Sequence, residues 1–434
     1  MTLIDGWKDK RLDECGVIFS GATPSTTNPA FWDGDIVWIT PADLSKQRTA
    51  YFCDSGQRIT SKGLASCSAH LLQPGSVVLS SRAPIGYVAL PTVPFCTNQG
   101  CKSIQPKEGI DSHFLYYSLL FNVEKIKRIG EGTTFAEISK TTLSGVAIEV
   151  PEDPVEQQQI AEVLTAVDQA IERTEALATK QCRIQTGLTQ DLLTRGVDHS
   201  GAIRSEHTHQ FKDSPIGRIP VEWDAVPLKI VSEFVTSGSR GWARYYSIDG
   251  ALFLRIGNLT RDHINLRFDD VVRVVPPKSS EGRRTCVAPG DLLISITADL
   301  GIIGVIPDGF EEAYVNQHIA LVRVTPSKAN SRFLGWFLSS RRGQSQFERL
   351  NESGAKAGLN LPTIERLIVP TTKDPHEQAA IAQVLDATTR STHDTLRKLE
   401  KLRRLKTGLM QDLLTGRKRV TPLLAAPAEL ATQA

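Results

Sequence analysis

Cationic, aromatic and amide side chains crowd together between Ser237 and Arg261, SGSRGWARYYSIDGALFLRIGNLTR. Arg240, Trp242, Arg244, Tyr245, Tyr246, Arg255, Asn258 and Arg261 alternate there with glycines, which let backbone approach a ligand closely. A guanidinium fork can take two acceptors at once, on a guanine edge or a phosphate, whereas an ammonium is a point charge. Between Val221 and Pro370 the chain carries 14 Arg and only 4 Lys, so it leans toward the planar donor. Such interleaving suits a mixture of phosphate contacts that position and base-edge contacts that specify. The competing reading is a surface loop of ordinary solvated arginines, and a G+C-rich genome would also favour arginine. The comparable set nearer the N-terminus is thinner: Ser20-Gly21, Lys46, Arg48, Arg82, Asn98, Gln99 and Lys102.

Catalytic spacings are missing. No Gly-Lys dipeptide occurs, which removes the loop that cradles nucleotide phosphates. No Asp or Glu is followed two positions later by Lys, and neither Gly-x-Ser-x-Gly nor His-Glu-x-x-His is present. Asn28-Pro29-Ala30-Phe31 is one residue away from the Asn-Pro-Pro-aromatic loop that holds a flipped base in amino-methyltransferases, but it has no FxGxG partner for a methyl donor. No catalytic residue is therefore assigned. Seven cysteines without a CxxC point to reduced thiols and a cytoplasmic location. Cys96 and Cys101 lack a second pair and nearby histidines, so buried thiols are expected and no metal. His207 and His209 are read as solvated.

These side chains need a frame, and the longest element supplies it. Pro154 to Gly196 reads as one helix, with apolar residues at Ile160, Val163, Val167, Ala170, Leu177, Ile184 and Leu188 in the three-then-four spacing of a seam. Glu377 to Gly416 repeats it without a gap at an offset of 221 (377 − 156 = 221), and TGLxQDLLT closes both copies. A one-sided seam must be buried, and the other copy is the nearest cover. Ile160, Leu164, Val167 and Leu188, with Ile381, Leu385 and Leu409, are the expected pairing positions. Gly187 and Gly408 occupy equivalent places inside the rods, where glycine costs about 1 kcal/mol relative to alanine. They predict close helix–helix approach. The alternative is two ordinary core helices of one large domain.

Each rod follows a globule of about 150 residues rich in turns and short β-runs. The expected division is a first globule at 1–150, a helical spacer at 151–196, a polar linker at 197–220, a second globule at 221–370, a distal helical spacer at 371–416 and a basic, then Ala/Pro-rich, disordered tail at 417–434. Pro74-Gly75 is answered by Pro289-Gly290, Ile85-Gly86 by Leu300-Gly301, Asn98-Gln99 by Asn316-Gln317, and Trp7 by Trp223. The fold class expected is α+β: two similar α/β globules alternating with two long helices that pair as an antiparallel coiled coil, related by a pseudo-twofold internal duplication. No run of 18 apolar residues occurs, so no membrane span is expected. The net charge is only +2 and does not by itself point to nucleic acid.

Two variable globules, each followed by a long helix with an EQxxIAxxL-like start and a TGLxQDLLT end, resemble the specificity subunit of type I restriction–modification enzymes. SGATPSTTNPAFWDGDIVWITPADL (Ser20–Leu44), FKDSPIGRIPVEW (Phe211–Trp223) and RKLEKLRRLKTGLMQDLLTGRKRV (Arg397–Val420) add to the likeness, which covers nearly the whole chain. The resemblance implies a non-catalytic DNA-reading subunit, its globules acting as target recognition domains on a bipartite double-stranded site. It implies that the helices set the spacer and dock methyltransferase subunits, two of them by the pseudo-twofold, alongside restriction/translocase subunits. S-adenosylmethionine, ATP and Mg are then expected on those partners. The alternative is a stand-alone DNA-binding or scaffold protein derived from such a subunit.

Overall fold

The computed structural model describes residues 5–82, 84–130, 137–352 and 359–420. The chain divides into two compact units, one of Met1–Ala176 with Leu396–Ala434 and one of Leu177–Thr395. Both boundaries fall inside a rod, so each unit owns one globule and part of both helices.

The globules are built alike. In the first, strand Val77–Ser80 lies antiparallel between Cys101–Pro106 and Val88–Pro91, and Gly16–Ser20 flanks Cys101–Pro106. In the second, Leu292–Ser295, Ile319–Val324, Ile303–Val305 and Ser232–Ser237 repeat that order. A smaller sheet in each holds one parallel pair, Val37 opposite Phe95 and Leu252 opposite Ala313. An antiparallel ribbon ties together the two ends of each globule, with Trp7 opposite Pro151 and Trp223 opposite Thr372. Pro74-Gly75 and Pro289-Gly290 make the same turn into the central strand, with glycine φ of 95° and 82°. A Cβ disfavours that left-handed region, which explains why glycine stands at both places.

Pro154–Arg195 is one helix of 42 residues and Pro375–Leu413 one of 39. In the first unit Glu175 pairs with Arg403 and Asp168 with Lys406, each at 2.6 Å. In the second, Gln181 donates to Ser391 Oγ at 3.0 Å and Gln185 to Thr389 Oγ1 at 2.9 Å. As one number rises the other falls, so the rods run antiparallel within each unit. Ile160, Leu164, Ile381 and Leu385 are fully buried, and Val167, Leu188 and Leu409 half-buried.

The middle of the seam departs from expectation. Leu177 is 48% and Ile184 47% exposed, while Thr174, Ala178, Thr389 and Thr392 are buried. The covered stripe steps by four and three through Ile160, Leu164, Val167, Ile171, Thr174, Ala178, Gln181, Gln185, Leu188 and Leu192. That is a heptad seam whose centre is small and polar, so following only apolar residues leads off it. Gly187 and Gly408 are also corrected: both are exposed, and beyond their own helix backbone and chain neighbours nothing lies within 4 Å of where either Cβ would stand. They do not bring the rods together. Small buried residues at 174, 178, 389 and 392 are where the helices are covered.

The repeated Glu-Gln dipeptide joins rod to globule. Gln157 Oε1 accepts from Asp111 N at 2.9 Å and Gln378 Oε1 from Asn330 N at 2.7 Å. Asp111 and Asn330 each cap the helix that follows, accepting from Phe114 N and Phe333 N. The glutamates grip the end of the opposite rod. Glu377 accepts from Trp223 Nε1 at 3.1 Å, from Val197 N at 3.0 Å and from Arg204. Glu156 accepts from Arg419 at 2.6 and 2.7 Å, and Arg419 also donates to Asp5 O at 3.0 Å.

These clasps alter the reading of both polar segments. Arg204, Ile216 and Ile219 are buried, so the 197–220 linker is packed against its unit rather than solvated throughout. His209 is half-buried, 3.9 Å from Asp198, while His207 is exposed. Val420 is fully buried, so Arg417-Lys418-Arg419 is not a free basic run; residues 421–434 lie outside the described residues. Glu377→Ala would leave Arg204, whose side chain is only 9% exposed, with Glu222 at 4.0 Å as its nearest carboxylate and Arg195 O at 3.3 Å. A buried charge deprived of its main partner costs up to about 3 kcal/mol, with Glu222 offsetting part of the loss. Urea unfolding of the full chain should show that loss, and a midpoint within error of wild type would deny the clasp any structural role.

Candidate nucleic-acid interface

The Ser237–Arg261 segment starts where strand Ser232–Ser237 ends against Ile319–Val324. Gly238 follows, and a Cβ there would fall 2.2 Å from Val315 O, so only glycine fits. Gly241, at φ 87°, then turns the chain into the 3-10 turn Trp242–Tyr245. Trp242 is a pillar of this loop. It is 2% exposed, stacks on Phe253 with centroids 5.3 Å apart and planes at 6°, and donates Nε1 to Glu281 at 2.6 Å. That hydrogen bond is the main reason the Glu281 carboxyl titrates below its ordinary range.

Asn258, 4% exposed, is spent on backbone. Its Oδ1 accepts from Arg255 N at 2.9 Å, and its Nδ2 donates to Arg267 O and Asp270 O at 3.1 Å. The expectation that Trp242 and Asn258 present ligand-reading side chains is therefore corrected: both are buried supports. Arg255 bonds Asp270 at 2.5 Å, and Arg261 bonds Asp299, Gln344 Oε1 at 3.0 Å and Leu300 O at 2.9 Å. Tyr245 is half-buried. Arg240, Arg244 and Tyr246 remain exposed, with Arg244 donating to Gly241 O at 3.0 Å. Arg284 is missing from the sequence reading. It donates to Thr236 Oγ1 and Ser237 O at 2.6 Å and to Ser239 Oγ at 2.7 Å, pinning the start of the loop. Its position, 23 residues beyond Arg261 in sequence (284 − 261 = 23), left no local signal.

In the first globule Lys46, Arg48 and Gln99 are exposed, and Arg82 is ion-paired with Glu137 at 2.9 Å. Asn98 folds on itself, its Oδ1 accepting from Gly100 N at 2.9 Å. Lys102 is 4% exposed with Nζ on Gln99 O at 3.3 Å, so it too is corrected from ligand contact to support. Burial pulls its ammonium below the ordinary lysine range, the neighbouring Glu137 opposing. Asn28 accepts from Ala30 N at 3.1 Å and caps the turn Pro29–Phe31, a purely local task for the near-match to a base-holding loop. Cys96 and Cys101 are buried and free, and burial pushes the Cys96 thiol up to about 12. Among the described residues no three His, Cys, Asp or Glu gather as metal ligands, and no helix is long and apolar enough to cross a membrane.

What the arrangement offers is exposed cations and amides on buried aromatic or amide supports, once in each globule. The chain is similar to known proteins. The model of the type I restriction modification DNA specificity domain matches residues 4–180 and again 284–404. The type I restriction enzyme MjaIX specificity subunit of Methanocaldococcus jannaschii is 35% identical over 261 residues, 59% of this chain and 58% of that protein. The MjaVIII specificity subunit of the same organism is 25% identical across 74% of this chain and 73% of its own length. The crystal structure of a type I restriction–modification S subunit from M. genitalium superposes with a TM-score of 0.59, covering 95% of this chain and 98% of that one at 14% identity, a likeness of fold. With the family model matched over more than half of its length and in both globules, this chain belongs to the type I restriction–modification DNA specificity family.

Proposed function

We propose that this chain is the non-catalytic, DNA-reading subunit of a type I restriction–modification complex. Each globule reads one half of a bipartite double-stranded site, and the paired rods set the unread spacer between the halves. The observation that carries this reading is the duplication itself. Two globules of one topology, each clasped to antiparallel rods by an equivalent glutamate, suit two half-sites better than one continuous site. Exposed Arg244, Lys46 and Arg48 neutralise phosphates, while amide and guanidinium groups reach base edges.

The chemistry then belongs to partners. Methyltransferase subunits, two by the internal symmetry, dock on the rods, hold S-adenosylmethionine and flip the target adenine. Restriction/translocase subunits use ATP and Mg for movement and cleavage. The full-length chain, purified alone, should neither methylate nor cut any DNA. Added to the methyltransferase of its host, it should direct methylation to one bipartite sequence. Turnover by the chain alone, or methylation of the same sequence without it, would overturn the reading.

A further inference from the structure

A duplicated domain whose two copies read different sequences must keep its frame and change its rim. Resting on the reading above, the duplication itself can therefore locate the base-reading side chains. Three loops meet at the same end of both globules, and the bonds that hold them are the same. Asn98 N donates to Ile39 O at 3.0 Å and Asn316 N to Leu254 O at 3.1 Å. Each asparagine Oδ1 accepts from the amide two residues on, Gly100 N at 2.9 Å and His318 N at 3.1 Å. Ser81 N bonds Gly100 O at 2.8 Å, and Ile296 N bonds His318 O at 3.0 Å. Ser80 Oγ accepts from Tyr87 N at 2.9 Å, as Ser295 Oγ accepts from Ile302 N at 2.8 Å. Gly21 and Gly238 press on the asparagine loop so closely that a Cβ would fall 2.0 and 2.2 Å from a carbonyl oxygen.

On this shared frame the outward positions differ. Thr23 corresponds to Arg240, Arg82 to Thr297 and Gly100 to His318, while Gln99 and Gln317 are the same. Several of these side chains are tied to one another, while Arg82 pairs with Glu137 at 2.9 Å. Thr23 Oγ1 donates to Gln99 Oε1. In the second globule Gln317 Nε2 donates to His318 Nε2 at 2.9 Å, so His318 Nδ1–H donates to Thr297 Oγ1 at 2.6 Å. The neighbouring Ala298 holds φ 57°, a conformation disfavoured for a residue with a Cβ and retained where the backbone is over-determined. Gln99 is exposed and Gln317, His318 and Thr297 are half-buried, so the rim faces solvent at partly desolvated groups.

We infer that these rims are the base-edge sites: Gln99 with Arg82 and Thr23 in the first globule, Gln317 and His318 with Thr297 and Arg240 in the second. The carboxamide can bond an adenine edge through two groups, and the guanidinium a guanine edge. The first globule's rim is Arg- and Gln-bearing; the second adds an imidazole where the first has none. Different half-sites follow from those exchanges alone.

The test uses the full chain with the methyltransferase of its host, mapping genomic methylation and measuring affinity for the wild-type duplex. Gln99→Ala should change bases in one half-site only, and Gln317→Ala and His318→Ala bases in the other only. Each should weaken the wild-type duplex roughly 10- to 100-fold. Spacer length should stay constant. Unchanged bases with unchanged affinity would overturn the inference, and so would equal weakening on every duplex, which would mean phosphate contact. Gln99 is exposed, so its truncation leaves the fold intact and decides the matter even if His318→Ala melts early. A wild-type complex that methylates no bipartite sequence would instead sink the DNA reading as a whole.

Discussion

Leu164→Asp and Leu385→Asp should each destroy the unit that contains them. Leu164 is 0% exposed in a core that also holds Ile160, Phe114, Leu413 and Leu414, and Leu385 is 1% exposed among Ile381, Leu192, Leu193 and Phe333. Removing a buried leucine costs about 2–5 kcal/mol. An unpaired carboxylate in its place adds several more through desolvation. The sum matches or exceeds the whole stability of a typical domain, about 5–15 kcal/mol. Hydrogen exchange on the full chain should show protection lost throughout Trp7–Leu164 for the first variant and Leu188–Leu385 for the second. Protection retained at wild-type level in either would mean the rods are not part of those cores.

The second large effect concerns length. Pairs 168–406 and 175–403 fix the rod register in one unit, as 181–391 and 185–389 do in the other. Lengthening one rod alone would displace such pairs. The end of the first rod is also a poor place to insert, because Val197 N and Arg204 are held by Glu377. Matched insertions between Ala176 and Leu177 and between Thr395 and Leu396 keep every one of these pairs within its own unit. Four residues in each add roughly 6 Å of helix and slightly more than one turn. Base pairs stack about 3.4 Å apart, so the methylated site should gain one or two spacer pairs with both half-sites unchanged. Two residues in each turn the helix by roughly 200° and should abolish methylation. An unchanged spacer in the four-residue variant would show that the rods do not measure the site.

Much of this frame was legible in the residues, for a physical reason. A gapless repeat at an offset of 221 survives because both copies of Glu-Gln and of Asp-Leu-Leu do the same buried work. The weaker matches, Pro-Gly and the asparagine of Asn-Gln, survive because backbone geometry demands them. The middle of the seam was not legible. Thr174, Gln181 and Thr389 are polar, and a seam sought by hydrophobicity slides onto exposed Leu177 and Ile184. Gly187 and Gly408 misled for a related reason: an equivalent glycine marks a shared environment, and here that environment is open. In the candidate site, composition found the right segment but could not separate supports from contacts. Trp242, Asn258 and Lys102 are buried by tertiary packing that composition does not reveal, as where Trp242 stacks on Phe253 and bonds Glu281, and where the strand carrying Lys102 pairs with Gly16–Ser20. Gln317 was noted only as the counterpart of Gln99, and His318, standing where the first copy has Gly100, had no match to draw attention to it.

The two units differ in how the chain supplies them. Leu177–Thr395 is one continuous stretch, whereas the other unit needs its first 176 residues together with Leu413, Leu414, Val420 and Arg419 from the far end. During synthesis the later-encoded unit therefore has all its parts first. The earlier globule emerges with Glu156 lacking its arginine and its core lacking three apolar side chains. Long-range contacts of this kind form late and leave apolar surface open in the meantime. A ribosome that stops before Arg419 releases a chain whose first unit cannot close. The stretch Leu413–Val420 is thus written into the folding of the chain's first 176 residues.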